Sequence, residues 1–219
     1  MTKILCIGGS TVNQGTFEKI NQALHKNGFL NDWAVIIANH QYLQFCNHKK
    51  DIEYLKKFIL QSHFPQKDAV LVYQQQDYPI IPGNIYILPD FLNCIYENQF
   101  ISTTIKTVND VPVIEISNIQ EVVQEDLDWI GSIGSIGSLD FPCIDRRMIE
   151  LSSIRPHKIA GLILAGMGGD GAEGLIEIAK NGGSVAIQDP NECYHPESIG
   201  QTASMPKAAI DMATQQNIK

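Results

Sequence analysis

Positive charge is scarce in this chain: 16 Lys and Arg stand against 24 Asp and Glu, for a net charge of -8 and a pI near 5.2. Phosphate backbones are gripped by concentrated basic surface, so no nucleic-acid partner is expected. No apolar run is long enough to cross a bilayer, so no membrane insertion is expected either. The amino terminus carries one lysine and a short apolar stretch that ends in Gly8-Gly9, which is not the make-up of a signal peptide. Cysteine is sparse and unpaired in pattern. Cys6, Cys46, Cys94, Cys143 and Cys193 are odd in number, scattered, and without a Cys-x-x-Cys, which reads as reduced thiols in a cytoplasmic protein. Zinc-like spacing is lacking too: His40 and His48 lie eight apart around Cys46 with no second ligand pair, so no metal is expected.

What the chain does have is a set of apolar runs that end in glycine or in reactive side chains. Its 219 residues suit one α/β domain spanning 1-219. Ile4, Leu5, Cys6 and Ile7 form a continuous apolar run, as in a strand buried on both faces of a parallel sheet. Gly8 and Gly9 then permit a sharp turn that lifts Ser10 out of the sheet. Phe17, Ile20 and Leu24 follow at helical spacing, with Gly28 where a C-terminal cap belongs. Ser10 thus stands at the carboxyl end of a strand, where open α/β sheets keep their ligands. The same Gly-Gly-Ser-Thr is also read as a plain turn whose hydroxyls cap a helix.

Trp33 to Asn39 predicts a second buried strand running into His40. Beyond it, Asp51 to Leu60 has the spacing of a short helix, while Ala69 to Tyr73 and Ile85 to Leu88 read as strands, the latter entered through the Pro82-Gly83-Asn84 turn. From Asn93 to Thr107, β-prone runs around Glu97-Asn98-Gln99 predict a small appended hairpin. Ile119 to Ile130 has helical spacing, and Gly131 to Ser138 repeats Gly-Ser-Ile as a loop would.

Ile159 to Ala165 is the clearest strand, and it opens into Gly166-Met-Gly-Gly-Asp-Gly171 before a helix through Lys180. Two readings compete there. The string satisfies Gly-x-Gly-x-x-Gly, with Asp189 ending the next strand roughly where a dinucleotide fold keeps its ribose acid. Asp170, however, places an anion where a pyrophosphate would sit, and that reading leaves Ser10 and His40 without a task. The alternative joins a serine, an imidazole and a carboxylate from three strand ends into a nucleophilic site.

Five segments resemble the catalytic domain of the chemotaxis protein-glutamate methylesterases of the CheB type. They are Ile7-Gly-Gly-Ser-Thr11, the strand ending in His40, Pro82 to Pro89, Gly166 to Gly174, and Ala186 to Cys193 with Ser204 to Ala209. The resemblance implies a doubly wound, mostly parallel sheet with helices on both faces, in three layers. It implies a cofactor-free serine carboxyl esterase that removes methyl groups from glutamate methyl esters on methylated chemoreceptor helices, with glutamine deamidation as a related activity. The catalytic roles carry over to Ser10, His40 and Asp170, and the oxyanion roles to the backbone N–H groups of Thr11 and Met167. A receiver domain, which often precedes this domain in the family, is not expected, since the nucleophile strand begins at Lys3. The chain departs from the family at two places: Val12-Asn13 stand where Gly-Gly is usual, and Phe141 stands where an Arg is usual. A receptor-binding scaffold without catalysis and a nucleotide-binding module are the alternatives. Oligomeric state is left open.

Overall fold

The structure is a computed structural model that describes residues 1–10, 12, 14–39, 69–72, 76–89, 99–121, 143–166, 168–193 and 204–218. Its strands are β1 (Lys3–Gly9), β2 (Trp33–Asn39), β3 (Ala69–Leu71), β4 (Tyr78–Pro79), β5 (Ile85–Pro89), β6 (Gln99–Val108), β7 (Val111–Glu121), β8 (Lys158–Ile163) and β9 (Ser184–Ile187). Its α-helices are α1 (Gln14–Lys26), α2 (Cys143–Ser152), α3 (Ala172–Lys180) and α4 (Ser204–Gln215). No helix among the described residues is long and apolar enough to cross a membrane.

Six strands form a parallel sheet in the order β3-β5-β2-β1-β8-β9. The chain starts in the middle at β1, moves outward on one side through β2, and builds the other side with β8 and β9. Crossovers between parallel strands are right-handed, so α1, leaving β1 toward β2, and α3, leaving β8 toward β9, fall on opposite faces. The order reverses between β1 and β8, and open α/β sheets bind ligands beyond the carboxyl ends of strands at such a switch point. The central strands are apolar throughout because both faces are covered: Ile4 and Cys6 of β1 and Ala34, Val35, Ile36 and Ile37 of β2 are fully buried. From α1, Phe17 and Leu24 join this core, and the helix gives way at Gly28, whose φ of 63° suits a residue without a Cβ.

A second sheet is antiparallel, in the order β4-β7-β6. Its hairpin turn is Asn109-Asp110, not the expected Glu97-Asn98-Gln99, because Gln99 already lies within β6. Both turn residues have positive φ (48° and 63°), and their short side chains tolerate the left-handed region that a two-residue hairpin turn demands. The helix expected from Ile119 is corrected at its start, since Ile119, Gln120 and Glu121 end β7; the remainder to Ile130 lies outside the described residues. So do the expected helix at 51–60 and the Gly-Ser-Ile repeat at 131–138. Glu150 of α2 ties the hairpin to the main body: its carboxylate accepts the Ile105 N–H (2.9 Å) and pairs with Arg146 (3.0 Å) and Arg147 (2.8 Å).

Candidate active site

Ser10 follows the last residue of β1, at the switch point. Its N–H donates to the Ala165 carbonyl (3.0 Å), and the Leu164 N–H donates to the Gly8 carbonyl (2.8 Å), so the ends of β1 and β8 are stitched together around it. Gly166 comes next, and its lack of a side chain is what admits Ser10. A Cβ there would lie 3.0 Å from the Ser10 Cβ and 2.8 Å from the Met205 sulfur. The start of α4 is bound to the same loop: the Met205 N–H donates to the Gly166 carbonyl (3.1 Å) and the Gly168 N–H to the Ser204 hydroxyl (2.6 Å). Val12 is buried at 1% exposure, so this side chain fills core space beside Gly9 just before α1.

Asp170 lies in the turn between β8 and α3, within reach of the start of α2. One carboxylate oxygen accepts the Ile144 N–H (3.1 Å) and the other accepts the Asp145 N–H (2.9 Å). These are donors that a helix leaves unpaired in its first turn, at the positive end of its dipole. A carboxylate has about four acceptor positions, so two backbone bonds leave it able to hold a further donor. Asp145 returns the arrangement: its side chain accepts the Gly174 N–H at 2.6 Å, in the first turn of α3. Gly174 makes that approach possible, since a Cβ would lie 2.7 Å from the Asp145 carbonyl oxygen and 2.6 Å from the Met148 Cβ. Burial pushes the Asp145 carboxyl above its ordinary range, helped by the charges of Asp170 and Glu173 and opposed by the Gly174 and Gly171 N–H groups.

His40, Thr11 and Met167 lie outside the described residues. Their sequence neighbours are described. Asn39, which precedes His40, is the register partner of Gly9, which precedes Ser10. Gly166 and Gly168 flank Met167, and both bond to the first residues of α4. Asp145 was not among the residues singled out from the sequence; the signal for it was an acid in the first turn of a helix that follows Pro142.

The nucleotide-binding alternative needs the N–H groups at the start of α3 for phosphate. Asp145 already takes the Gly174 N–H there, and it brings negative charge with it. Cys6 lies in β1 but its thiol, pushed up to about 12 chiefly by burial, is no nucleophile; nearby Arg147 pulls it down and Asp170 pushes it up. A cavity of about 420 Å³ opens at the other end of the sheet, between the starts of β8 and β9, lined by Arg155, His157, Lys158, Asn181 and Ser184. It takes no part in the Ser10 end.

Comparison with known proteins agrees with this layout. A crystal structure of the Thermotoga maritima CheB methylesterase catalytic domain superposes with a TM-score of 0.60 at 22% identity, covering 96% of this chain and 88% of that one. A Carboxydothermus hydrogenoformans protein-glutamate methylesterase/protein-glutamine glutaminase is 26% identical over 138 residues, 63% of this chain and 32% of that protein. A Leptospira interrogans relative is 33% identical over 94 residues, 43% of this chain and 45% of its own length. The chain therefore spans less than half the length of these curated relatives. The family model described as CheB methylesterase matches residues 5–219, so the chain belongs to the CheB methylesterase family.

Proposed function

We propose that this protein is a serine esterase that hydrolyses glutamate methyl esters on chemoreceptor-like helices, and that it also deamidates glutamine side chains. Family membership and the names of its relatives support the reaction class. The observation that carries the site assignment is the convergence of Ser10 and the loop bearing Asp170 at the switch point, with Asp170 anchored by the first turn of α2. The β1–β2 register supports His40 as the third member, because the residues just before Ser10 and His40 are partners.

In this reading the Ser10 hydroxyl attacks the ester carbonyl while His40 takes its proton. The tetrahedral intermediate carries its negative charge on the former carbonyl oxygen, held by the backbone N–H groups of Thr11 and Met167. Collapse breaks the C–O bond to methoxide, which leaves as methanol with the proton from His40. The glutamyl-Ser10 ester is then cleaved by water through the same steps in reverse roles, releasing the free glutamate. Asp170 holds the imidazole tautomer and stabilises its cation. With a glutamine side chain the leaving group is ammonia and the remaining steps are the same. The test is methanol release from a methylated receptor fragment. Ser10→Ala is expected to lower the rate by about 10⁴-fold or more, and an undiminished rate would refute the assignment.

A further inference from the structure

We propose that Asp145 is a positioning residue for this site: with Asp170 it forms an interlocked pair of helix caps that fixes where the Asp170 carboxylate points. The inference rests on the reading of Asp170 as the group that orients His40. Each aspartate belongs to the amino-terminal region of one helix and serves the other. Asp170, just ahead of α3, accepts the Ile144 and Asp145 N–H groups of α2 at 3.1 and 2.9 Å. Asp145, in the first turn of α2, accepts the Gly174 N–H of α3 at 2.6 Å.

The two links close a ring: Asp170 side chain to Asp145 backbone, Asp145 side chain to Gly174 backbone, and the α3 turn back to Asp170. Neither helix start can shift without stretching a bond to the other. The packing around the ring is tight enough to make this matter, because Ile144 fills the space beside both Gly8 of β1 and Gly171, while Gly174 sits against the Asp145 backbone. Asp145 is itself nearly enclosed, at 9% exposure, so water is a poor substitute for its bond to Gly174. The Ser10 side of the ring is bound as firmly, through the Ala165 carbonyl and Gly166. The Asp170 carboxylate is thereby held by backbone N–H groups of a packed helix, and the Ser10 backbone is held separately by β8. Asp145 touches no reacting atom in this scheme; it acts through Asp170.

The experiment compares Asp145→Ala, Asp145→Asn and Asp145→Glu in the full chain, with kcat and KM for methanol release measured separately and folding checked by circular dichroism. Misplacing a catalytic group by about 1 Å costs about 100-fold, and a smaller displacement costs less, so about 10- to 100-fold is the expected range. Asp145→Ala is expected to lower kcat by about that factor with KM within about twofold of wild type. Asn keeps an acceptor oxygen in place for Gly174 and is expected to restore kcat to within about threefold. Wild-type kcat in a folded Asp145→Ala protein would overturn the proposal. Should Asp145→Ala not fold, Glu against Asn decides. Glu keeps the charge but moves the acceptor by one methylene, so a kcat at least tenfold below that of Asn is expected, and equal values would overturn the proposal. Ser10→Ala run alongside separates the two failures: undiminished turnover there would sink the esterase reading itself, whereas its loss together with normal Asp145 variants would sink only the positioning role.

Discussion

Replacing Asp170 by Asn separates two duties of one side chain. In the folded protein each carboxylate oxygen accepts a backbone N–H from the first turn of α2, from Ile144 at 3.1 Å and Asp145 at 2.9 Å. An amide has one acceptor oxygen, so one of those N–H groups would face an NH₂ donor. Hydrogen bonds to a charged partner are worth about 1.5–3 kcal/mol and an orphaned donor costs about 1–3 kcal/mol. Loss of the anion at the start of α2 adds about 0.3–1 kcal/mol. The remaining bond, now neutral, still contributes about 1 kcal/mol. Because Asp170 is only partly buried and water can reach the orphaned N–H in part, the expected loss is about 2–4 kcal/mol. For a chain of this size that lowers the melting temperature by about 4–16 °C. Urea denaturation followed by circular dichroism measures it, with Ser10→Ala as the comparison, since Ser10 is expected to cost activity and little stability. A change below about 0.5 kcal/mol in Asp170→Asn would refute the capping argument. If the argument holds, loss of turnover in any Asp170 variant has to be corrected for the unfolded fraction before it is read as catalysis.

Gly174→Ala places a Cβ 2.7 Å from the Asp145 carbonyl oxygen and 2.6 Å from the Met148 Cβ; the backbone on one side cannot yield, so a destabilisation of about 1–3 kcal/mol is expected despite alanine's better helix propensity, and a stabilised variant would contradict the packing. The Asp145 carboxyl titrates above its unfolded value, so the stability it contributes is full below the unfolded pKa and lost as pH rises through the folded one. The unfolding free energy of wild type minus that of Asp145→Asn should therefore increase as pH is lowered from neutral toward about 4, and a flat or opposite trend would contradict the assignment of burial as its cause. Cys6, fully buried with its thiol near 12, should resist iodoacetamide at pH 8 in the folded protein and react in urea; modification in the native state would show that β1 opens.

The parallel sheet was legible because its central strands are covered on both faces. That burial leaves a nearly continuous apolar signature in Ile4 to Ile7, Trp33 to Ala38 and Ile159 to Ala165, each closed by a polar or glycine residue: Gly8, Asn39 and Gly166. The positions of Ser10 and Asp170, past the carboxyl ends of β1 and β8, were legible for the same reason. The hairpin was misplaced by about ten residues. Its β6 and β7 carry polar residues such as Thr103, Thr104, Lys106 and Glu115 among the apolar ones, and Asn109-Asp110 is a weaker turn signal than a glycine pair. The ring of caps was not legible at all. Asp145 and Gly174 are 29 positions apart, and Asp145 with Asp170 25 apart, so their link depends on how α2 lies across α3, which no local pattern encodes. The collision that keeps position 174 a glycine is likewise a property of two packed helices and not of either sequence segment.

The central claim is that Ser10 is an activated nucleophile, and a fluorophosphonate probe reads it most directly, because stable phosphonylation requires a serine whose proton can be removed at neutral pH. Intact-mass and peptide analysis of the wild-type protein should find one adduct, on Ser10, with Ser10→Ala unlabelled and His40→Ala labelled at least 100-fold more slowly. A folded wild-type protein that takes no label at Ser10, or His40→Ala labelled as fast as wild type, would contradict the account.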